Sequence, residues 1–331
     1  MKQPIRKFWS IAACAAALVV LAGPTTGARA GDSIAVGKAV PNAWTFTPID
    51  IGVEKGILKK HGFDSVKILS FGGDAKLQQA LLSKDIDFGL ASGPGMAFNA
   101  KGGGGYGVAA FYGAPRNLGI AIPYDSTMSR VSELKGKKLS VSTAGSLTYW
   151  LAQRLSQQMG WGVDGVTPVP LGGFQHSLAA LQTKQVDAMV TATETALLLE
   201  RQKKIKQLYN FAELVPRFIT HVIEARKDIV KDKPDVVRRF VAAWFDTIDY
   251  VRAHKAESVE IAARVLRTPA DIVERIYDLE IGEYSKTGAF DPEAVAILKQ
   301  SFIEMTVLDR KPTDEELFTE AFLPKREVLT R

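Results

Sequence analysis

The stretch GGDAKLQQALLSKDIDFGLAS, from Gly72 to Ser92, decides the fold because the chain repeats it. It aligns without a gap with GGFQHSLAALQTKQVDAMVTA, residues 172–192, and six of the 21 positions are identical. Each copy contains a Gly-Gly turn, a helix with apolar residues at i, i+3 and i+4, a polar turn and a short apolar strand. The pattern indicates an internal duplication of one helix–strand unit. The alternative is a chance likeness between two generic units of this kind.

A strand followed by a turn precedes each unit. In the first, Ser33-Ile-Ala-Val-Gly-Lys leads to Pro41, and in the second, Lys138-Leu-Ser-Val-Ser leads to Thr143. Strands that alternate with helices favour parallel sheets covered by helices. The duplication therefore predicts an α/β fold of two lobes.

Two extended apolar segments are placed to connect the lobes. Residues 117–123 leave the first lobe, and residues 217–225 return to it. Both are predicted to be strands that cross between the lobes, and a cleft between two such lobes is a natural ligand site.

The rest of the chain reads as helical and returns to the first lobe. Helical periodicity is found at 234–254, 256–266, 270–286 and 292–304. The predicted domains are a signal peptide at 1–30, a first lobe of 31–120 plus 222–331, and a second lobe of 121–221.

The first thirty residues have the pattern of a secretory signal. Lys2, Arg6 and Lys7 precede an apolar run, Ile11–Ala22, that is too short to span a bilayer. Small residues then occupy the two positions that a signal peptidase recognises, ending at Ala30. We predict cleavage after Ala30 and a periplasmic mature protein.

The single cysteine, Cys14, lies inside this segment. Its removal leaves no thiol, which excludes disulfides, thiolate metal sites and a cysteine nucleophile. The alternative is a lipoprotein in which Cys14 is lipidated. The same segment holds four basic residues and no acidic ones, so cleavage lowers the net charge from +6 to about +2. A nearly neutral protein gives no reason to predict a nucleic-acid partner.

Ligands of parallel α/β sheets bind beyond the carboxyl ends of the strands. Applied to both repeats, this rule selects the loops that follow the predicted strands. The predicted ligand-binding residues are Asn42, Trp44, Phe46, Gly73, Ser92, Gly93, Ser146, Leu147, Thr148, Gly173, Thr193 and Glu194.

Three of these positions suggest specific roles. Ser146 is a plausible N-cap of the helix Leu147–Met159, where free backbone N–H groups hold an anionic or carbonyl oxygen, or it is a plain cap. Trp44 and Phe46 either form aromatic walls of the site or belong to the core. Glu194 either accepts hydrogen bonds from an amine or hydroxyl, or is a solvated residue at a helix start.

Patterns typical of catalysis are weak. The four histidines are scattered with no pair at i, i+3 or i+4, so we predict no metal site and no cofactor. The glycine-rich run at 101–107 lacks the Gly-Lys-Ser/Thr ending of a phosphate-binding loop. The alternative function is a secreted enzyme that uses Ser146 with His221 or Glu194; otherwise no catalytic residue is predicted.

Four motifs resemble one known family. They are IDIGVEKGI…HGF at 49–63, LLSKDID at 81–87, LKGKK at 134–138 and LQTKQVD at 181–187. Together they are similar to the periplasmic substrate-binding proteins of nitrate/sulfonate/taurine-type ABC importers. The resemblance covers nearly the whole mature chain.

The resemblance implies a two-lobed type II periplasmic binding fold that closes around a small-molecule solute. It also implies a monomer that delivers the solute to the transmembrane subunits of a permease, with ligand contacts near Trp44, Ser92, Ser146 and Glu194. The family's cysteine-dependent enzymes do not match a mature chain without cysteine. The loops contain no arginine to hold a sulfonate unless Arg116 or Lys76 reaches in, so an aromatic or heterocyclic solute is as consistent with the sequence as a small anion.

Overall fold

The computed structural model describes Met1, residues 31–41 and residues 43–325. The predicted signal peptide with its cleavage site after Ala30, the lipidation alternative at Cys14, and the predicted ligand residue Asn42 lie outside the described residues.

Apolar strands form two five-stranded sheets. The strands are β1 (Asp32–Lys38), β2 (Phe63–Ser70), β3 (Phe88–Ser92), β4 (Gly105–Tyr112), β5 (Leu118–Pro123), β6 (Lys138–Val141), β7 (Thr167–Pro170), β8 (Ala188–Ala192), β9 (Ile205–Asn210) and β10 (His221–Arg226). The first sheet has the order β2-β1-β3-β10-β4, and the second has the order β7-β6-β8-β5-β9.

The two sheets have the same topology. Four strands of each sheet run in the same direction, and the fourth position in the sheet order is taken by a strand antiparallel to them, β10 in the first sheet and β5 in the second. The sheets are thus mixed rather than wholly parallel as the alternation of strands and helices predicted. The α/β class and the two-lobed arrangement are confirmed.

Helices cover both sheets. They are α1 (Pro48–Glu54), α2 (Ile57–Lys60), α3 (Asp74–Leu82), α4 (Ala97–Ala100), α5 (Leu147–Gln158), α6 (Phe174–Gln182), α7 (Thr193–Arg201), α8 (Lys227–Asp232), α9 (Pro234–Ala253), α10 (Lys255–Leu266), α11 (Ala270–Glu280), α12 (Pro292–Glu304) and α13 (Asp314–Leu317). Short 3₁₀ turns lie at Trp44–Phe46, Pro94–Met96, Val131–Leu134, Phe211–Glu213 and Ile281–Glu283. In the described part of the chain, no helix has the length and apolar character needed to cross a membrane.

The repeated units adopt the same local structure. Lys84 and Lys184 end their helices with left-handed φ angles of 67° and 59°. Asp87 accepts the backbone N–H of Ala35 at 2.8 Å, and Asp187 accepts that of Lys138 at 2.9 Å, so each carboxylate holds its own strand to the neighbouring one. These matched contacts confirm that the repeat is structural as well as sequential.

The segments that connect the sheets are not the predicted strands. β5 lies wholly in the second sheet and β10 wholly in the first, and the connections are the loops at 113–117 and 211–220. Apolar alternation identifies a strand but not the sheet it joins, which explains the difference. The lobe boundaries after residues 120 and 221 remain a prediction, and they fall within β5 and β10.

Of the long carboxyl-terminal helices, α9 packs on the first sheet. The apolar side chains of Val237, Phe240, Val241 and Trp244 of α9 are buried, and Phe240 stacks on Phe88 of β3 with ring centroids 3.9 Å apart. The third predicted helix ends at Glu280 instead of residue 286, because a 3₁₀ turn follows it. Burial of aromatic side chains of this size contributes about 2 kcal/mol each to folding.

Candidate functional site

A cavity of ≈ 100 Å³ lies where the carboxyl ends of the two sheets face each other. Its lining comes from the loops that follow parallel strands of both sheets, as the strand-end rule predicts. The lining residues are Ala39, Val40, Ala43, Thr45, Phe46, Gly72, Gly73, Asp74, Ser92, Asn117, Leu118, Ser142, Thr143, Ser146, Leu147, Thr148, Gly172, Phe174, Ala192 and His221.

The structure brings about half of the predicted ligand residues to this cavity. Those that line it are Phe46, Gly73, Ser92, Ser146, Leu147 and Thr148. Those that are described but do not line it are Trp44, Gly93, Gly173, Thr193 and Glu194.

The side chains of Trp44 and Phe46 point in different directions because the two residues lie two positions apart in a 3₁₀ turn. With three residues per turn, side chains two positions apart point in directions about 120° apart. Phe46 lines the cavity and packs edge-on against His221, with centroids 4.9 Å apart. Trp44 is fully buried against Tyr277 of α11, so it is a core residue and not a wall of the site.

Gly93 and Thr193 hold the two connecting loops. The N–H of Gly93 donates to the Thr220 carbonyl at 2.8 Å, and the N–H of Thr193 donates to the Asn117 carbonyl at 3.0 Å. A Cβ atom on Gly93 would lie 2.0 Å from the Ile219 carbonyl oxygen, so this position admits only glycine. Both residues therefore hold the loops that connect the sheets, and neither lines the cavity.

Glu194 lies in the first turn of α7 and is 6% exposed. Burial raises the pKa of this carboxyl. Glu280 of α11 is also fully buried, and burial followed by the nearby charge of Glu194 raises its pKa. The Tyr112 hydroxyl donates to Glu280 at 3.0 Å. Glu194 thus belongs to a buried acidic pair and is not a solvated helix-start residue.

Gly173 is the residue that precedes α6. Its φ and ψ of −159° and 162° are extended, and its neighbours Gly172 and Phe174 line the cavity while it does not.

Three hydroxyl groups form a closed cluster at the start of α5. Ser142 Oγ lies 2.9 Å from Ser146 Oγ and 2.8 Å from Thr148 Oγ1, and the latter two atoms are 3.0 Å apart. Ser146 is the N-cap, as predicted, because its Oγ accepts the N–H of Tyr149 at 3.3 Å. The cluster presents several donors and acceptors to the cavity.

Asn117 and His221 are a buried pair on the cavity wall that the sequence did not predict as ligand residues. Asn117 is the last residue of one connecting loop, and His221 directly follows the other. Asn117 Nδ2 lies 3.1 Å from His221 Nε2. Burial lowers the pKa of His221 to about 3, so its imidazole is neutral at pH 7. Asn117 Oδ1 is buried and has no hydrogen-bond partner among the described residues. The sequence signal that could have identified Asn117 is its position as a polar residue at the end of a connecting loop.

Asp74 is a second site residue that the sequence did not predict. Its carboxylate accepts the N–H of Ser92 at 2.8 Å and the Ser92 hydroxyl at 2.7 Å, so it fixes the end of β3. Burial raises its pKa.

A family model described as NMT1/THI5 like matches residues 44–258, more than half of the chain. The chain belongs to the NMT1/THI5-like family.

Similar proteins agree with this assignment. A protein of Brucella abortus described as a binding protein is 25% identical over 69% of this chain and 70% of its own length. The periplasmic aliphatic sulphonate binding protein SsuA from Escherichia coli superposes with a TM-score of 0.71 at 17% identity, covering 87% of this chain and 92% of that one. The periplasmic nitrate-binding protein NrtA from Synechocystis does so with a TM-score of 0.71 at 15% identity, covering 88% and 86%.

These likenesses confirm the predicted periplasmic binding fold and the resemblance to the sulfonate and nitrate group of ABC importer proteins. At such identities the structural likeness establishes the fold alone. It does not carry over the ligand of any relative.

The alternative catalytic constellation is not assembled in this site. Ser146 Oγ bonds to neighbouring hydroxyls, His221 Nε2 faces Asn117, and Glu194 does not line the cavity. An imidazole with a pKa of about 3 is a poor general base at neutral pH. Among the described residues, no group of three or more His, Cys, Asp or Glu side chains is arranged to hold a metal ion.

Proposed function

We propose that this chain is the solute-binding component of an ABC importer. It captures a small organic solute, either an anionic sulfonate or carboxylate or an aromatic or heterocyclic compound, between its two lobes. It then delivers the solute to the transmembrane subunits of a permease and carries out no chemistry on it.

The cavity between the two sheets is the observation that carries this proposal. Strand-end loops of both sheets line it, and each connecting loop is held by a matched backbone hydrogen bond, from Gly93 to Thr220 and from Thr193 to Asn117. Two lobes joined by two short loops are suited to hinge motion about a ligand. Closure then changes the surface that the permease meets.

The location and state of the protein are part of the same proposal. The basic and apolar pattern of residues 1–30 and the periplasmic relatives favour export and cleavage after Ala30. The mature protein is then a periplasmic monomer of residues 31–331.

Native mass spectrometry of the protein purified from its own periplasm tests these points together. The expected species is a monomer whose mass matches residues 31–331 plus one small solute, which is released unchanged on denaturation. X-ray scattering of the same sample, before and after removal of the solute, is expected to show expansion when the solute leaves. A chain that holds no solute, or that releases a chemically altered one, contradicts the proposal.

A further inference from the structure

The cavity described above contains no positively charged side chain among its described lining residues. Its polar lining residues are Thr45, Asp74, Ser92, Asn117, Ser142, Thr143, Ser146, Thr148 and His221. A small anion held in a protein cleft is normally met by Arg or Lys, which pair with it through charge-assisted hydrogen bonds. The described lining residues include no Arg or Lys.

The cationic side chains near the cavity either pair with carboxylates or lie outside the lining. Lys38 pairs with Asp50 at 2.5 Å, and Arg116 pairs with Glu283 at 2.6 Å. Lys76 is exposed, and a Cβ atom on Gly72 at the cavity edge would lie 3.6 Å from its ammonium nitrogen. Lys76 therefore meets solvent at the mouth and is not part of the lining.

The one carboxylate among the described lining residues already accepts two hydrogen bonds within the protein. Both oxygens of Asp74 accept hydrogen bonds from Ser92, one from the backbone N–H and one from the hydroxyl. A solute ammonium group would share this carboxylate with Ser92. Among its described residues, the lining thus offers no cation to an anionic solute, and its one carboxylate is already hydrogen-bonded to Ser92.

Three buried polar atoms of the described lining residues have no hydrogen-bond partner among the described residues, namely Asn117 Oδ1, Thr45 Oγ1 and His221 Nδ1. Of these, the amide oxygen of Asn117 can act only as an acceptor. Asn117 is 6% exposed, and its Oδ1 has no partner, while its Nδ2 is directed to the neutral imidazole of His221. Thr45 is 1% exposed, and its hydroxyl is likewise without a partner. Buried polar atoms are nearly always satisfied in proteins, so an unsatisfied one on a cavity wall points to a ligand group that satisfies it.

The remainder of the lining is apolar or made of hydroxyl groups. Phe46, Leu147 and Phe174 supply apolar and aromatic surface. The Ser142, Ser146 and Thr148 hydroxyls lie within 3.0 Å of one another and can turn to donate to, or accept from, a neutral carbonyl or hydroxyl.

We propose that the solute is uncharged at neutral pH, with an apolar or aromatic body and at least one N–H or O–H group that donates to Asn117 Oδ1. This inference rests on the proposed function and selects among its solute classes. It sets this chain apart from neighbours whose names specify sulphonate or nitrate.

The charge of the solute is tested first. The protein purified from its own periplasm is denatured, and the released solute is identified by its mass and its charge at pH 7. A neutral compound with an N–H or O–H donor supports the inference. A sulfonate, carboxylate, nitrate or ammonium compound overturns it and leaves the proposed function standing. The absence of any solute, with no binding of a compound library, overturns the proposed function itself.

Direct titration with matched probes supplies a second measurement. Benzamide and benzenesulfonamide carry N–H donors, whereas benzoate and benzenesulfonate are their anionic counterparts, and nitrate is the inorganic probe. Solute-free protein is expected to bind at least one neutral member ten-fold or more tightly than its anionic partner. Equal or tighter binding of the anions overturns the inference.

A pair of variants, titrated with the released solute, tests whether Asn117 Oδ1 is the acceptor. Asn117→Leu removes Oδ1 and is expected to weaken binding by ten-fold or more. Asn210→Leu is the matched control, because Asn210 Nδ2 donates to the Arg116 carbonyl at 3.0 Å and holds the same loop without lining the cavity. Melting of both variants without solute reports any loss of fold. Binding weakened equally in the two variants means that Asn117 acts only through the loop, which contradicts its role as acceptor.

Discussion

At the scale of single residues, Ser142 and Ser146 share one hydroxyl cluster but differ in what else they do. Ser146 also caps α5 through the Tyr149 N–H, whereas Ser142 lies before the helix. Ser146→Ala is expected to lower the free energy of unfolding by about 1 kcal/mol through loss of the cap. Ser142→Ala should leave stability nearly unchanged. Both are expected to weaken binding of the co-purified solute about two- to ten-fold, the worth of one hydrogen bond.

Chemical denaturation and titration calorimetry of the two variants separate these effects. If Ser142→Ala binds the solute as tightly as the unsubstituted protein, the hydroxyl cluster is not part of the site.

Glu224 leads to a prediction about pH. It is fully buried in β10, accepts a hydrogen bond from Asn99 Nδ2 at 2.7 Å, and burial raises its pKa to about 8 from 4.5. The folded chain therefore keeps a proton that the unfolded chain releases, so this group makes stability fall as the pH rises from about 4.5 to about 8. Its share is at most about 1.4 kcal/mol per pH unit. The raised pKa values of Glu194 and Glu280 act in the same direction.

Melting temperatures across this pH range check the sign. Glu224→Gln is expected to flatten the decline, whereas Glu274→Gln, a control at an exposed carboxylate paired with Lys255, should keep it. Equal slopes for all three proteins would show that Glu224 titrates normally.

The sequence was least informative about the directions and partners of individual side chains. The rule that ligands bind beyond strand ends correctly predicted the loops that line the cavity. The position of Ser146 before an apolar helix correctly predicted that it is the N-cap. The sequence did not indicate which of Trp44 and Phe46 faces the cavity, because that depends on a 3₁₀ turn and on Tyr277 far along the chain. Asn117 was missed because its partner His221 is a neighbour only after both connecting loops have formed.

At the scale of elements, the repeated units end their helices in the same way. Lys84 and Lys184 both adopt left-handed φ, which costs a non-glycine residue about 1 kcal/mol. Lys184→Gly is therefore expected to stabilise the fold by about 0.5 to 1 kcal/mol. Lys84→Gly should stabilise it less, because Lys84 also pairs with Asp228 at 3.0 Å.

Denaturant unfolding of the two variants side by side measures this difference. A loss of stability in Lys184→Gly would show that the lysine side chain makes a contribution larger than the backbone strain.

Elements were predicted well where the signal is local. The helix–strand units, the capped α5 and most of the carboxyl-terminal helices follow from periodicity within a short window. Sheet membership is not local. The strand at 118–123 was recognised as a strand, but its place between β8 and β9 depends on pairing with residues that come later in the chain.

At the scale of the whole molecule, α5 and α12 hold the two halves together beside the cavity. Trp150 of α5 donates its Nε1–H to Glu304 of α12 at 2.7 Å, and its ring stacks on Phe218 of a connecting loop, with centroids 4.7 Å apart. Arg154 adds a contact to Glu304 at 3.3 Å. These contacts link α5, beside the second sheet, to α12 and to a connecting loop.

Glu304→Ala is expected to favour an open arrangement, because it leaves the buried indole N–H of Trp150 without its partner unless water reaches it. We expect a larger radius of gyration by X-ray scattering and solute binding weakened several-fold. Glu293→Ala on the exposed face of the same helix, where Glu293 pairs with Arg217, serves as the control. Unchanged scattering in Glu304→Ala would contradict a role for this contact in closure.

The position of β10 also bears on how the chain folds. All strands of the second sheet lie within residues 118–210, whereas the first sheet needs β10, the last strand of the described chain, between β3 and β4. Contacts between distant parts of a chain form slowly because the intervening loop must be closed. During synthesis, β3 and β4 therefore wait for residue 226 while the second sheet already has all its strands. Residues 118–210 are expected to acquire protection from hydrogen exchange first, and β1 to β4, within residues 32–112, are expected to become protected later, together with β10.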